Sequence, residues 1–174
     1  MNLILCGLPM CGKTTIGKKL AAKLNRQLLE SDRMIEIKEN MPCREIVQKN
    51  GNLYFRQIEN EQIASLVGKK NCIISLGGGS LEHSKNREII ASLGALIYLK
   101  APVHLLWERT KERGVPAFLD QNHPELSFYE MAARRICHYE QMSGMIIDTI
   151  NFSDEDILER IIEWQAIHLE PFSK

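Results

Sequence analysis

The run Gly7-Leu8-Pro9-Met10-Cys11-Gly12-Lys13-Thr14 constrains this chain more than any other stretch. Its G-x-x-x-x-G-K-T spacing is that of a phosphate-binding loop, and such a loop works only between a strand and a helix. The flanks supply both. Leu3, Ile4, Leu5 and Cys6 form an apolar strand before it. Ile16, Leu20 and Leu24 line one face of an amphipathic helix after it, with Lys18, Lys19 and Lys23 elsewhere. Backbone N–H groups of the loop then point inward at a polyphosphate, backed by the positive end of the helix dipole. In that setting Lys13 reaches the β/γ-phosphates and the Thr14 hydroxyl holds Mg²⁺.

Strand and helix patterns go on alternating along the chain. Short strands are expected at 27–30, 72–76, 95–99 and 145–148, and helices at 33–38, 43–50, 54–67, 82–92, 102–112 and 125–142. A last helix starts at Ser153, a good N-cap, with Asp154, Glu155 and Asp156 in its first turn and Ile157, Ile161 and Trp164 on its apolar face. The alternation predicts an α/β fold, a parallel sheet with helices on both faces, whose sites lie at the carboxyl ends of the strands. At 174 residues the chain reads as one domain spanning 1–174. Gly114 to Pro124 is its most irregular stretch, and a lid over about 110–124 is the functional reading of what is otherwise a plain surface loop.

Composition narrows the partners. Lys+Arg and Asp+Glu are 22 each, so nothing predicts general affinity for nucleic acid or for an anionic membrane, and any basic patch serves a small anion. The five cysteines (Cys6, Cys11, Cys43, Cys72, Cys137) are odd in number and irregularly spaced, against a disulfide framework or a zinc site. Cys6 and Cys72 read as small core hydrophobes. Cys11 lies inside the loop, where exposure and a helix N-terminus could lower its thiol pKa for a redox role, although a merely tolerated side chain is the better reading. No apolar run reaches membrane-spanning length and no signal peptide precedes the first strand, so a cytoplasmic protein is expected. A monomer is expected for want of any identifiable apolar heptad or large patch.

Four further clusters carry chemistry. Glu30-Ser31-Asp32 ends the second strand, where a carboxylate can take a proton from an attacking hydroxyl or hold Mg²⁺ through water, besides capping a helix. Arg56 and Glu59 are three apart on one helix, and an Arg held by Glu59 presents a planar fork to an anion. Gly77-Gly78-Gly79 follows the third strand and lets backbone N–H groups approach a carboxylate or hydroxyl directly. Arg109, Arg113, Arg134 and Arg135 occupy the second half, from which a lid Arg could stabilise charge on a transferring phosphoryl group.

In order and spacing, the phosphate loop, Ser31-Asp32 with Ile35-Glu36, Phe55-Arg56-x-x-Glu59, the glycine triplet and Arg135-x-x-x-Tyr139 resemble shikimate kinase over residue 2 to about residue 165. The resemblance implies a three-layer α/β/α fold like that of nucleoside monophosphate kinases, with a five-stranded parallel sheet in the order 2-3-1-4-5 and a lid. It implies ATP-dependent phosphorylation of the 3-hydroxyl of shikimate, with Mg²⁺ as cofactor. By the same resemblance Gly7, Pro9, Met10, Cys11, Gly12, Lys13, Thr14, Thr15 and Arg109 contact ATP, Arg109 lying against adenine. Thr14 and Glu30 serve the metal. Asp32 bonds the reacting hydroxyl as base or orienter, Arg56 and Arg135 clamp the carboxylate, Gly77, Gly78 and Gly79 line the acceptor, and Glu59 orients Arg56.

The sequence departs from that pattern at three points. Glu30 stands where the family usually has Asp, Met10 where the loop usually has Gly, and Val115 where the lid usually has Arg before Pro. Arg113, two residues earlier, is expected to take over the phosphate contact. Two other readings remain: another small-molecule kinase of this fold, of gluconate or nucleoside monophosphate type, and a nucleotide-binding module without catalysis.

Overall fold

A computed structural model describes residues 1–116 and 118–168. Five parallel strands lie in the order β2-β3-β1-β4-β5, with β1 at Asn2–Cys6, β2 at Gln27–Glu30, β3 at Cys72–Ser75, β4 at Gly94–Lys100 and β5 at Met145–Asp148. Helices α1 (Lys13–Leu24), α2 (Ser31–Glu39), α3 (Cys43–Ala64), α4 (Ser84–Leu93), α5 (Val103–Arg113), α6 (Pro124–Met142) and α7 (Asp154–His168) flank it. The central strand explains its own sequence. Leu3 pairs with Ile73 on one side and Ala95 on the other, and all of β1 is buried. A strand covered on both faces reads as a continuous apolar run.

Topology places the site. The chain leaves β1 toward β2 and leaves β3 toward β4, in opposite directions. A crevice therefore opens at the carboxyl ends of the adjacent strands β1 and β3. The phosphate loop emerges from one and the glycine triplet from the other. At the opposite, amino-terminal end of the strands the buried Asn2 side chain donates to Lys69 O (2.8 Å) and Leu93 O (2.9 Å) and accepts from Cys72 N–H (2.9 Å). Losing it would strand three backbone groups, at about 1–3 kcal/mol for each one left buried.

Several local expectations shift for physical reasons. The 43–50 and 54–67 patterns join in α3, broken at Gly51, whose φ of 84° and ψ of 167° are open to glycine. Helix α4 starts at Ser84, which leaves Glu82 in the preceding turn, its N–H bonded to Gly79 O at 2.9 Å. At α7, Ser153 Oγ accepts from Asp156 N–H (3.2 Å), and Ser153 N–H and its hydroxyl donate to the Asp156 carboxylate (3.0 and 2.7 Å). Such a cap is worth about 1 kcal/mol. Ile157, Leu158 and Ile161 are buried and Trp164 half-buried. Residues 110–113 of the expected lid are the last turn of α5; beyond them the backbone is irregular, with Leu119 buried as its anchor. Ala117 of that lid, and 169–174 of the expected 1–174 domain, lie outside the described residues. Among the described residues no helix is long and apolar enough to cross a membrane.

Candidate active site

The phosphate loop turns on left-handed backbone. Gly12 (φ 97°, ψ 6°) redirects the chain into α1, and Met10 takes φ 68°. For a residue with a Cβ that conformation costs roughly 1–2 kcal/mol. Met10 is held there by packing against the core and by Arg109 Nη1, which donates to its carbonyl at 3.2 Å. Lys13 Nζ folds over the loop and donates to Gly7 O (2.8 Å) and Leu8 O (2.9 Å). The exposure that a redox role would need is absent at Cys11. Its side chain is only 2% exposed and points beneath the loop, 3.7 Å from Lys13 Nζ.

Two cavities meet at this crevice. The larger, of about 560 Å³, is walled by Pro9, Met10, Gly12, Lys13, Thr14, Thr15, Glu30, Asp32 and Arg113, among others; we call it the phosphate cavity. The smaller, of about 330 Å³, lies at the low end of the range for small-ligand pockets, roughly 300–1,000 Å³. We call it the acceptor cavity; its wall includes Asp32, Arg44, Phe55, Arg56, Glu59, Gly78, Gly79 and Arg135. Pro9, Asp32 and Gly78 belong to both walls.

The glycine triplet makes room for these side chains. A Cβ on Gly77 would overlap Asp32 Oδ1; one on Gly79 would overlap the Arg56 guanidinium, 2.7 Å from Nη2; one on Gly78 would sit 3.1 Å from Arg135 Nη1. Its backbone is also partly committed. Gly77 N–H donates to Ser31 Oγ (2.7 Å), and the Tyr139 hydroxyl donates to Gly78 O. Gly77, expected with its neighbours to line the acceptor, has its amide bonded within the protein and walls neither cavity.

Carboxylates fix the guanidiniums. Glu59, 2% exposed, accepts from Arg56 Nη1 (2.6 Å) through Oε2 and from the Ser80 hydroxyl (3.0 Å) through Oε1. Glu82 Oε2 meets Arg135 Nε and Nη2 (3.0 Å each) and Arg56 Nη2 (3.5 Å). Asp32 opens to the cleft yet is crowded by protein on its other sides. Burial, then the nearby charge of Glu59, pushes its carboxyl up to about 6, against the pull of Lys13 and Arg56. Cys43, on the same wall, is pushed up to about 12 by burial and by Asp32, which keeps it a thiol.

The family model for shikimate kinase matches residues 9–166. The chain belongs to the shikimate kinase family. A shikimate kinase of Methylococcus capsulatus is 33% identical over 161 residues, covering 92% of this chain and 90% of that one. The solved shikimate kinase of Acinetobacter baumannii in complex with shikimate superposes with a TM-score of 0.88 at 29% identity, covering 97% of this chain and 95% of that one. For the Aquifex aeolicus enzyme the TM-score is 0.82 at 25% identity, with 96% and 99% covered. Members of the family are ATP-dependent kinases, so this chain is a phosphotransferase with the family's sheet order.

Against the family's pattern, the residues expected from sequence fall into two groups. Pro9, Met10, Gly12, Lys13, Thr14, Thr15, Glu30, Asp32 and Arg113 share the phosphate cavity, and Asp32, Arg56, Gly78, Gly79 and Arg135 share the acceptor cavity. Gly7, Cys11, Gly77 and Arg109 line neither; Arg109 braces the loop at Met10. Sequence reasoning missed Arg44, Ser80 and Glu82. Ser80 was legible as the residue after the triplet. Glu82 was hidden because it reads as a first-turn helix acid, and Arg44 because it reads as an exposed helix residue.

Proposed function

We propose that this chain transfers the γ-phosphoryl group of ATP to the 3-hydroxyl of shikimate. The observation that carries the reading is that Asp32 stands in the walls of both cavities, between Lys13 on one side and the Arg56–Arg135 pair on the other. A ring with one carboxylate and several hydroxyls suits the acceptor cavity, its carboxylate on the two guanidiniums and its reacting hydroxyl at Asp32. The hydroxyl oxygen attacks the γ-phosphorus, the bond to the β-phosphate oxygen breaks, and Asp32 takes the proton or orients it. A carboxyl near 6 is suited to that work, being mostly ionised at neutral pH while still basic.

Lys13 and Arg113 supply positive charge where the phosphoryl group transfers. Thr14, Glu30 and Asp32 offer the phosphate cavity hard oxygen donors, a set that fits Mg²⁺, which takes one or two carboxylates and keeps waters and substrate phosphates. When bound there it neutralises charge on the phosphates. Gly114, Pro116 and Phe118 of the lid segment lie on the acceptor wall, which supports closure over substrate to exclude competing water. We read the chain as one domain acting as a monomer, since both cavities are complete within it. We place it in the cytoplasm, where ATP is available and cysteines remain reduced.

The test is ATP consumption by the purified protein with shikimate, gluconate and nucleoside monophosphates offered in parallel, Asp32→Asn serving as control. Turnover with shikimate alone is expected. Turnover of gluconate or a nucleotide with shikimate inert overturns the proposal.

A further inference from the structure

We infer that Glu82 is a positioning residue that joins Arg56 and Arg135 into a single carboxylate clamp. The inference rests on the reading of the acceptor cavity as the shikimate site.

Arg56 comes from α3 and Arg135 from α6. Two like charges drawn from separate helices repel, and Arg135 is only 5% exposed. Water screens that repulsion poorly. Of the two guanidiniums, Glu59 bonds that of Arg56, its other oxygen taking the Ser80 hydroxyl. Glu82 Oε2 bridges the pair, at 3.0 Å from Arg135 Nε and Nη2 and 3.5 Å from Arg56 Nη2.

The bridge sits behind the clamp. A rear cavity of about 340 Å³ is lined by Glu82, His83, Arg134, Arg56 and Arg135, among others. Both guanidiniums wall the acceptor cavity and the rear cavity, whereas Glu82 walls only the rear one. Glu82 therefore grips the Nε/Nη2 edge of Arg135 and leaves Nη1 beside Gly78 at the acceptor face. An Arg gripped along one edge keeps the other for a second carboxylate.

The turn that carries Glu82 is pinned. Its N–H donates to Gly79 O (2.9 Å), and Arg87 Nη1 donates to Leu81 O (2.9 Å) and Glu82 O (3.0 Å). The same Gly79 lies under the Arg56 guanidinium. One short turn thus clears space for Arg56 and ties it to Arg135. Without the Glu82 charge the guanidiniums spread, and a ligand carboxylate meets two separate cations rather than one preorganised fork.

Calorimetric titration of shikimate and of its methyl ester into the parent protein, Glu82→Gln and Glu82→Asp tests this. The ester keeps the ring and hydroxyls and removes the negative charge. Glu82→Gln is expected to weaken shikimate about tenfold, the middle of the range for coupled neighbours, with the ester unchanged. Glu82→Asp, charged but shorter, falls between. In turnover the change appears in the KM for shikimate rather than in kcat or the KM for ATP. Shikimate affinity that is unchanged or tighter overturns the inference, as does an equal loss for acid and ester, which is the mark of general structural damage. Because binding is read directly, an absence of turnover would count against the proposed reaction and leave this measurement intact.

Discussion

Gly77→Ala separates catalysis from folding. Gly77 is buried and has ordinary negative-φ or extended backbone, so alanine meets no left-handed strain. The added methyl would overlap Asp32 Oδ1 and lie 3.2 Å from both Asp32 Cγ and Glu59 Oε1. To restore a contact of roughly 3.5 Å, the Asp32 carboxylate must retreat by about 1 Å. The obstacle is the tip of a side chain facing an open cleft, so the fold can yield there. Alanine also lowers the entropy of the unfolded chain, worth about 0.4–1 kcal/mol in favour of the fold. We therefore expect a melting temperature within about 4 °C of the parent. Catalysis has no such tolerance: a misplacement of about 1 Å costs on the order of a hundredfold, or about 2.7 kcal/mol of barrier. Steady-state turnover at saturating ATP and shikimate, paired with thermal unfolding, reads both quantities. Gly79→Ala crowds Arg56 instead and should raise the KM for shikimate more than it lowers kcat. A Gly77→Ala protein with kcat within about threefold of the parent would refute the placement of Asp32 argued from these contacts.

With Asp32 at about 6, kcat/KM should rise with pH up to about 6 and level off above it, and a flat profile from pH 5 to 7 would remove Asp32 as the base. The raised carboxyl means that the folded state binds this proton more tightly than the unfolded chain does. Its contribution to stability therefore falls as pH rises from about 4 to about 6, and Asp32→Asn should gain about 1 kcal/mol at pH 7, a figure discounted for the solvent that reaches the cleft; pH-dependent melting curves check it. At position 10, with φ of 68°, Gly should exceed Ala in stability by about 0.5–1 kcal/mol in urea denaturation, and the reverse order would mean that the loop relaxes there. Arg113→Ala should lower kcat about tenfold or more with little change in the KM for shikimate. Unchanged turnover would show that Arg113 does not meet the transferring group.

The sequence alone determined whatever depends on local order. An apolar strand, a glycine-framed loop ending in Lys13-Thr14 and an amphipathic helix can be assembled in essentially one way. The alternation that follows predicts a parallel sheet, because parallel neighbours need crossovers. The ordered motifs also marked Asp32, Arg56 and Arg135, since a phosphate loop, a strand-end carboxylate and paired arginines each carry their chemistry in residue type.

Tertiary structure decided how those groups are held. The glycine triplet was legible as a close approach, but its partners come from α2, α3 and α6, and only packing shows that Gly77, Gly78 and Gly79 clear space for Asp32, Arg135 and Arg56 in turn. The bridge from Glu82 spans 26 residues to Arg56 and 53 to Arg135 (82 minus 56, 135 minus 82). No periodicity reaches across such gaps. The burial of Cys11 was hidden for the same reason: a loop position says where the backbone runs, while the direction of a short side chain depends on which neighbours close beneath it.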